Sequence, residues 1–303
     1  MQFAVVIPSL NQGSFLDSAL ASVFGQHGLF RCRVHVQDGG STDNTLDVLE
    51  KWSSLTGSNQ RVEFSFSVAS DTGVAQALNR GFDAVNGDMY TWLGADDVLM
   101  PWAFSTVADV LQAFPNYHWV TGLSAQISAE SIPLGLGGFA SHHRLPSGFS
   151  QRHLRLGRHR SAVYPMVQQE GTFWSAEVFD RLGKTLSEDN DVAFDFALWT
   201  RIAEHYPLLQ LSVPLAMFRV RPDQLSSARK GDYRAEVERD KHVLAQRGST
   251  SRHDFSRSQR LRTFSYFHPT KRTWIVKEWA YDPFLLRRMW QRFTLMLDSR
   301  RSR

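Results

Sequence analysis

Cysteine is all but absent from this 303-residue chain. The lone Cys32 cannot form an internal disulfide, which excludes a disulfide-stapled scaffold, and it cannot supply a cysteine-based zinc or iron–sulfur site. Long hydrophobic runs are lacking too: the longest apolar stretches are strand-sized, far short of the roughly 18 residues of a membrane span. No basic segment precedes the opening FAVVIP, so no secretory leader is expected and a soluble, cytoplasmic protein is. Gly-x-Gly-x-x-Gly is missing after the first strand, and no P-loop lysine motif occurs, which argues against a nicotinamide, flavin or P-loop enzyme. The LGLGG at 134–138 lies outside any strand-to-helix turn.

What is present suffices for a large core. Apolar residues make up 42% of the chain, enough for one large domain or two smaller ones. Charge is unevenly spread. Residues 252–303 hold 13 basic and 4 acidic side chains, a net of +9, whereas residues 1–251 hold 21 and 26, a net of −5. The basic surplus belongs to the tail, so body and tail are expected to meet different partners.

The first half alternates β-rich runs (3–7, 34–37, 62–67, 89–93, 118–121) with helical stretches (15–26, 44–52, 73–85, 101–114). Phe15, Ala19, Leu20 and Val23 have the spacing of one buried helix face, and Pro101 suits a first helical position. Such alternation predicts βαβ units and a largely parallel α/β sheet, with ligands at the carboxyl ends of its strands. Further along come an ordered segment at 169–174, helices near 177–182 and over 192–205, and one or two strands over 208–218. A helix over 233–246, a Ser/Arg-rich connector and a terminal helix follow. From Arg152 to Arg160, six of nine residues are Arg or His.

Acidic motifs fall at the strand ends. The first strand runs into Pro8-Ser9-Leu10-Asn11, the second into Asp38-Gly-Gly-Ser-Thr-Asp43, the third into Ser70-Asp71-Thr-Gly73 and the fourth into Gly94-Ala-Asp96-Asp97. Asp38 can bind a ribose hydroxyl or a base N–H, or equally close an Asx turn on its own loop; Asp71 is equally a helix cap. Adjacent carboxylates repel, so Asp96-Asp97 calls for a cation or strong donors, and oxygen ligands select Mg²⁺ or Mn²⁺. Three acidic strand ends in one sheet converge on one crevice, as a nucleotide-diphosphate site with a metal requires.

These motifs resemble glycosyltransferase family 2, of the GT-A fold. The resemblance covers the opening strand with Pro-Ser-x-Asn, the Asp38–Asp43 element, Ser70-Asp-x-Gly followed by Ala77-Leu-Asn79-x-Gly81, and Gly94–Asp97 in place of the family's DxD-type metal motif. It is continuous over roughly residues 3–101 and weaker to about 227. It implies that Pro8, Ser9, Asn11, Asp38 and Asp71 hold the nucleoside of a sugar nucleotide, with UDP the expected carrier. Asn79 and Gly81 would lie beside the donor, Asp96 would face its ribose or sugar, and Asp97 would ligate Mn²⁺ or Mg²⁺ at the diphosphate. Leu10 stands where many relatives carry an aromatic residue. Gln169, Glu170 and Trp174 resemble an acceptor-side stretch, and Asp195 in FDFALW, with Trp199, the segment bearing the catalytic base. Glu188, Asp189 and Asp191 are nearby competitors. Arg221 stands where relatives often have His ahead of a Ser, here Ser226, and its guanidinium can bind the diphosphate.

The implied activity is inverting, metal-dependent transfer of a sugar to an acceptor hydroxyl. The expected acceptor is a glycan or lipid-linked glycan of bacterial surface polysaccharide synthesis. The expected organisation is a GT-A domain over 1–230, its halves meeting near 121, and a basic, aromatic helical tail over 231–303. On a helical wheel, Leu286, Met289, Trp290, Phe293, Met296 and Leu297 share one face and Arg287, Arg288 and Arg292 the other. Such a helix suits either an anionic membrane surface, on the inner face of the membrane, or the protein's own core. The alternatives are a non-catalytic sugar-nucleotide binder and a nucleic-acid-binding protein using the tail. The acidic body argues against nucleic acid as a partner.

Overall fold

The computed structural model describes residues 1–56, 61–136, 148–158, 167–224, 228–246 and 262–279. In chain order the elements are β1 (Gln2–Ser9), α1 (Gly13–Phe24), β2 (Arg31–Asp38), α2 (Thr45–Leu55), β3 (Val62–Val68), α3 (Val74–Ala84), β4 (Met89–Trp92), β5 (Val98–Leu99), α4 (Ala103–Ala113) and β6 (Trp119–Ile127). They continue with β7 (Pro133–Leu136), β8 (Phe149–Ser150), α5 (Gln151–Arg155), β9 (Thr172–Ser175), α6 (Ala176–Arg181), α7 (Phe194–Ala203), β10 (Leu209–Arg219), α8 (Lys230–Gln246), β11 (Arg262–His268) and β12 (Thr273–Trp279). The strands form one sheet in the order β12-β11-β10-β6-β9-β4-β1-β2-β3, with β5 on β10, β7 on β6 and β8 on β11.

The chain folds as an α/β protein with a mixed, mostly parallel sheet. Strands β3, β2, β1 and β4 are parallel neighbours, as are β6, β10 and β11. Strand β9 runs antiparallel between β4 and β6 and joins the two blocks. Side chains alternate about the pleat, so Phe3, Val5 and Ile7 enter one core layer and Ala4 and Val6 the other. Both faces of β1 are buried, which is why FAVVI reads as an unbroken apolar run. The first layer is phenylalanine-rich, with Phe3 stacked on Phe104 at 4.2 Å. The second is built on indoles, with Trp92 stacked on Trp199 at 5.5 Å and Trp199 on Trp119 at 5.7 Å.

Three expectations need correction. Pro101 sits in a turn and α4 begins only at Ala103, after the Trp102 cap, because the preceding Val98–Leu99 pairs with β10 and sets where the chain turns. Phe15 is only half-buried, and Leu16 takes the core position predicted for it. Residues 262–279, expected as connector or helix, are a β-hairpin that extends the sheet beyond β10. Alternation of Thr263 and Ser265 with the aromatic Phe264 and Tyr266 suits a strand, but the surrounding basic residues obscure the pattern. The predicted helix face at 286–297 lies outside the described residues, as do Ser226, the end of the 152–160 basic run and the end of LGLGG.

Candidate functional site

Parallel pairing sets the carboxyl ends of β1, β2, β3 and β4 along one edge, with Ser9 opposite Asp38. The loops after β1 and β2 are knitted together. Ser41 Oγ accepts the Asn11 N–H at 2.7 Å, Asn11 Oδ1 accepts the Thr42 N–H at 2.8 Å, and Asp43 accepts the N–H groups of Gly13 and Thr45, both at 3.0 Å. Pro8 and Ser9 end β1, and Ser9 Oγ is a buried hydroxyl without a partner among the described residues.

Asp38 does not present its carboxylate to the crevice. It is wholly buried and accepts from the Gly40 and Ser41 N–H groups at 2.9 and 2.8 Å and from the Ser41 hydroxyl at 2.6 Å. The Asx-turn alternative is the one realised, and Asp38 shapes the loop. Asp71 remains half-exposed: Oδ1 accepts the Gly73 N–H at 3.0 Å, and Oδ2 faces Gly39. A Cβ on Gly39 would lie 2.9 Å from that oxygen and 3.4 Å from Leu10, so only glycine keeps this wall open. Leu10 is 54% exposed and covers no core.

Asn79 and Gly81 each make contacts that hold α3 in place. Asn79 accepts the Leu186 N–H at 2.7 Å and donates to the Leu186 carbonyl at 3.1 Å and to Glu188 at 2.8 Å, pinning the loop before α7. Gly81 packs α3 onto β1; a Cβ there would sit 2.3 Å from Val6 Cγ1.

At the end of β4 the two carboxyls are held by arginines from the end of β10. Asp97 is 1% exposed, and its Oδ1 accepts the Arg219 N–H at 2.8 Å. The buried Arg219 guanidinium braces the turn, donating to the Asp96 carbonyl at 2.6 Å and to the Ser128 and Ala129 carbonyls at 2.8 and 2.9 Å. Arg221 pairs with the Asp96 carboxylate at 3.0 Å and donates to Gln12 at 2.8 Å. Both guanidinium carbons lie over the Phe15 ring, at 5.1 and 4.9 Å. This explains why Phe15 turns away from the core: a half-exposed ring beside two arginines gains cation–π attraction.

Glu170 precedes antiparallel β9 and so reaches the same edge as the parallel strand ends. It is 4% exposed, and its Oε1 has no partner among the described residues. Burial, with the charges of Asp195 and Asp96 nearby, pushes its carboxyl up to about 8. Burial also raises Asp97 well above the usual carboxylate range, helped by the charges of Asp96 and Glu170. Asp195, in the first turn of α7, is 8% exposed; its Oδ1 accepts the Phe196 N–H at 2.7 Å, and the Tyr233 hydroxyl donates to it at 3.0 Å. The structure thus brings Asp96, Asp97, Glu170 and Asp195 within electrostatic reach of one another. An excess of carboxyl oxygens, one orphaned and one strongly raised, suits a hard divalent cation. No cluster of three or more His, Cys, Asp or Glu ligands forms among the described residues, so a cation here would take further oxygens from its ligand or water.

Gln169 accepts the Trp92 indole N–H at 2.8 Å and fixes the segment that carries Glu170. Trp199, expected on the acceptor side, is 1% exposed at the centre of the indole stack; it faces inward because its helix packs that flank against β4 and β6. Of the competing acids, Glu188 binds Asn79 and Asp191 pairs with Arg229 at 3.4 Å. Gln12, Phe15, Arg219 and Tyr233 escaped sequence reasoning. Arg219 left one signal, an arginine at the end of an apolar strand; Tyr233 left none, because only the tertiary fold brings it to Asp195.

The sequence profile described as Glycosyl transferase family 2 matches residues 4–129. A PGL/p-HBAD biosynthesis glycosyltransferase of Mycobacterium tuberculosis is 37% identical over 98 residues, 32% of this chain and 36% of that protein. An uncharacterised glycosyltransferase of Nostoc sp. is 30% identical over 113 residues, 37% of this chain and 33% of that protein. The matches thus span about a third of the length of these curated relatives. Among solved structures, Staphylococcus aureus TarS 1-349 in complex with UDP-GlcNAc superposes with a TM-score of 0.62 at 16% identity, over 84% of this chain and 69% of that one. The mannosyltransferase PcManGT of Pyrobaculum calidifontis, in complex with GDP-Man and Mn²⁺, superposes with a TM-score of 0.60 at 18% identity, over 85% and 67%. The chain has the fold of these GT-A transferases.

Proposed function

We propose, from the premise that residues 4–129 are a glycosyl transferase family 2 domain, that the protein moves a sugar from a nucleotide sugar to an acceptor hydroxyl. The observation that carries this reading is the convergence of Asp96, Asp97, Glu170 and Asp195 on one edge of the sheet. Pro8, Ser9, Leu10, Asn11 and Asp71 surround the nucleoside, on a loop framework that Asp38 and Asp43 hold rigid. Asp97, with Asp96 beside it, would hold Mn²⁺ or Mg²⁺. When bound, such an ion offsets the charge that develops on a leaving diphosphate. Arg221, held against Asp96, is placed to answer the same charge.

Asp195 is the base in this reading. It takes the proton of the acceptor hydroxyl as that oxygen bonds to the anomeric carbon. The bond from that carbon to the diphosphate breaks, and its electron pair leaves with the nucleoside diphosphate. Attack from the face opposite the diphosphate inverts the centre. UDP is the expected carrier and a glycan or lipid-linked glycan the expected acceptor. No helix among the described residues is long and apolar enough to cross a membrane; the basic tail over 231–303 is the candidate for a surface contact with such an acceptor's membrane.

A thermal-shift panel of UDP-, GDP- and dTDP-sugars with and without Mn²⁺, on wild type and Asp97→Ala, tests the donor half. A metal-dependent shift with one nucleotide, lost in the variant, is expected. Absence of any shift, with or without a lipid-linked acceptor, would sink the reading.

A further inference from the structure

We propose that α8 is part of the catalytic apparatus: a clamp from outside the family-matched segment that holds the α7 start in place, with Tyr233 as the positioning residue for Asp195. The inference rests on Asp195 being the base and adds what makes it one.

Three neighbouring positions on one face of α8 grip the chain leading into α7. Tyr233 spans the Asp195 carboxylate, with its hydroxyl 3.0 Å from Oδ1 and 3.3 Å from Oδ2. One turn on, Glu236 accepts the N–H groups of Asp191, Val192 and Ala193 at 3.2, 3.1 and 2.8 Å. A further turn on, Asp240 accepts from the Asn190 side chain at 2.8 Å, and Arg239 donates to the Asp189 carbonyl at 3.1 Å and to the Asn190 side-chain oxygen. The i, i+3, i+7 spacing of Tyr233, Glu236 and Asp240 is what one helix face supplies. Between them Val237 packs with Ala193 and Phe196 in a small cluster of its own.

These contacts do what the first turn of α7 cannot do alone. The Ala193 cap contributes no side-chain hydrogen bond, and Glu236 fixes the chain entering the helix by the N–H groups of the three residues up to that cap. A carboxylate beside Phe194 and Phe196, 8% exposed, is costly to ionise unless donors meet it. The Phe196 N–H and the Tyr233 hydroxyl are such donors. Charged and titratable groups bearing on this carboxylate include Glu170 from the segment before β9, which opposes its ionisation, and Tyr233 from α8. Glu236, Asp191 with Arg229, and Asp240 with Arg239 flank the same segment. Tyr233 therefore places a donor on the Asp195 carboxylate and aims it, as positioning a base requires before the acceptor arrives.

The test compares wild type, Tyr233→Phe and Asp195→Asn in the full chain. Turnover is read as release of free nucleoside diphosphate from UDP-GlcNAc and from GDP-mannose with Mn²⁺. The Asp195 carboxyl is titrated by ¹³C NMR in ligand-free protein. Tyr233→Phe keeps the ring and its packing, so an unchanged melting temperature and donor KM are expected, with kcat about tenfold lower and the Asp195 titration about one pH unit higher. In the Asp195→Asn background, Tyr233→Phe should cost nothing further. An Asp195 titration unmoved by Tyr233→Phe overturns the clamp even if neither donor turns over. A wild-type kcat in Tyr233→Phe, beside an inactive Asp195→Asn, overturns it while leaving the base assignment standing. An Asp195→Asn variant as active as wild type removes the base assignment, and the clamp with it.

Discussion

The loops after β1 and β2 and the site's remaining walls are held together over very different distances along the chain. Asn11 and Ser41, Asn11 and Thr42, Gly13 and Asp43 are partners about one βα unit apart, 30 or 31 residues. Asp97 takes its backbone donor from Arg219, 122 residues on, and Asp96 pairs with Arg221, 125 residues on, whereas Asp195 is met by Tyr233 only 38 residues on. The loops after β1 and β2, on the proposed nucleoside side, are therefore a property of consecutive units, whereas the turn at Asp96-Asp97, where charge would develop, is completed only when β10 joins the sheet. Binding and turnover ought to be separable by mutation.

The sharpest separation sets Asp97 against Asp195. Asp195→Asn is expected to lower kcat by about 10²–10⁴-fold while leaving the Mn²⁺-dependent donor thermal shift intact; Asp97→Asn is expected to abolish that shift as well. Equal loss of donor binding in both would erase the distinction. Next in size is Arg219→Met, which keeps the backbone N–H to Asp97 but strips the turn of its buried guanidinium and leaves the Asp96, Ser128 and Ala129 carbonyls without that donor. A loss of about 2–4 kcal/mol is expected from the orphaned carbonyls, read as the denaturant midpoint. The nucleoside loops, if they are as local as their contacts, should keep native hydrogen-exchange protection at Asn11 and Thr42 after that loss.

How far the sequence discloses such a molecule follows from the same contrast. The strands and helices of the first half are legible because each has one periodicity and a short loop, and parallel pairing of those strands is enough to bring their acidic ends into one crevice. Which of those acids face the crevice is not legible: Asp38 and Asp71 have similar local sequences, and only the fold shows that one turns into its loop and the other outward. Trp199 misleads for a related reason, since a motif position cannot reveal that an indole stack lies behind it. The β11–β12 hairpin is hidden by its basic neighbours, and Tyr233 by its distance from any recognisable motif.

Two smaller effects probe the nucleoside half alone. Gly81→Ala drives a methyl group into Val6 Cγ1, a stiff β-branched side chain in the central strand, and should cost about 1–3 kcal/mol. Adding Val6→Ala makes room and should return part of it, and failure of that rescue would move the cause elsewhere. His35 lies between Ser65 Oγ at 2.8 Å and Ser67 Oγ at 3.0 Å, and burial lowers its affinity for a proton. The unfolded chain then binds the proton more readily, so this contribution to stability is complete above about pH 6.5 and is lost as pH falls below it. His35→Gln should flatten the acid side of the stability–pH curve in denaturant titrations at successive pH values.

The β11–β12 hairpin bears on how this protein could be shortened. Strand β11 covers the flank of β10 at Gln210 and Leu211, and Thr263 Oγ1 donates to the Leu208 carbonyl at 2.8 Å. A chain ended after α8 would bare that flank as an open edge of a wide sheet, a template for pairing with other copies. Truncation at what looks like a domain boundary should therefore yield aggregation before it yields a smaller enzyme.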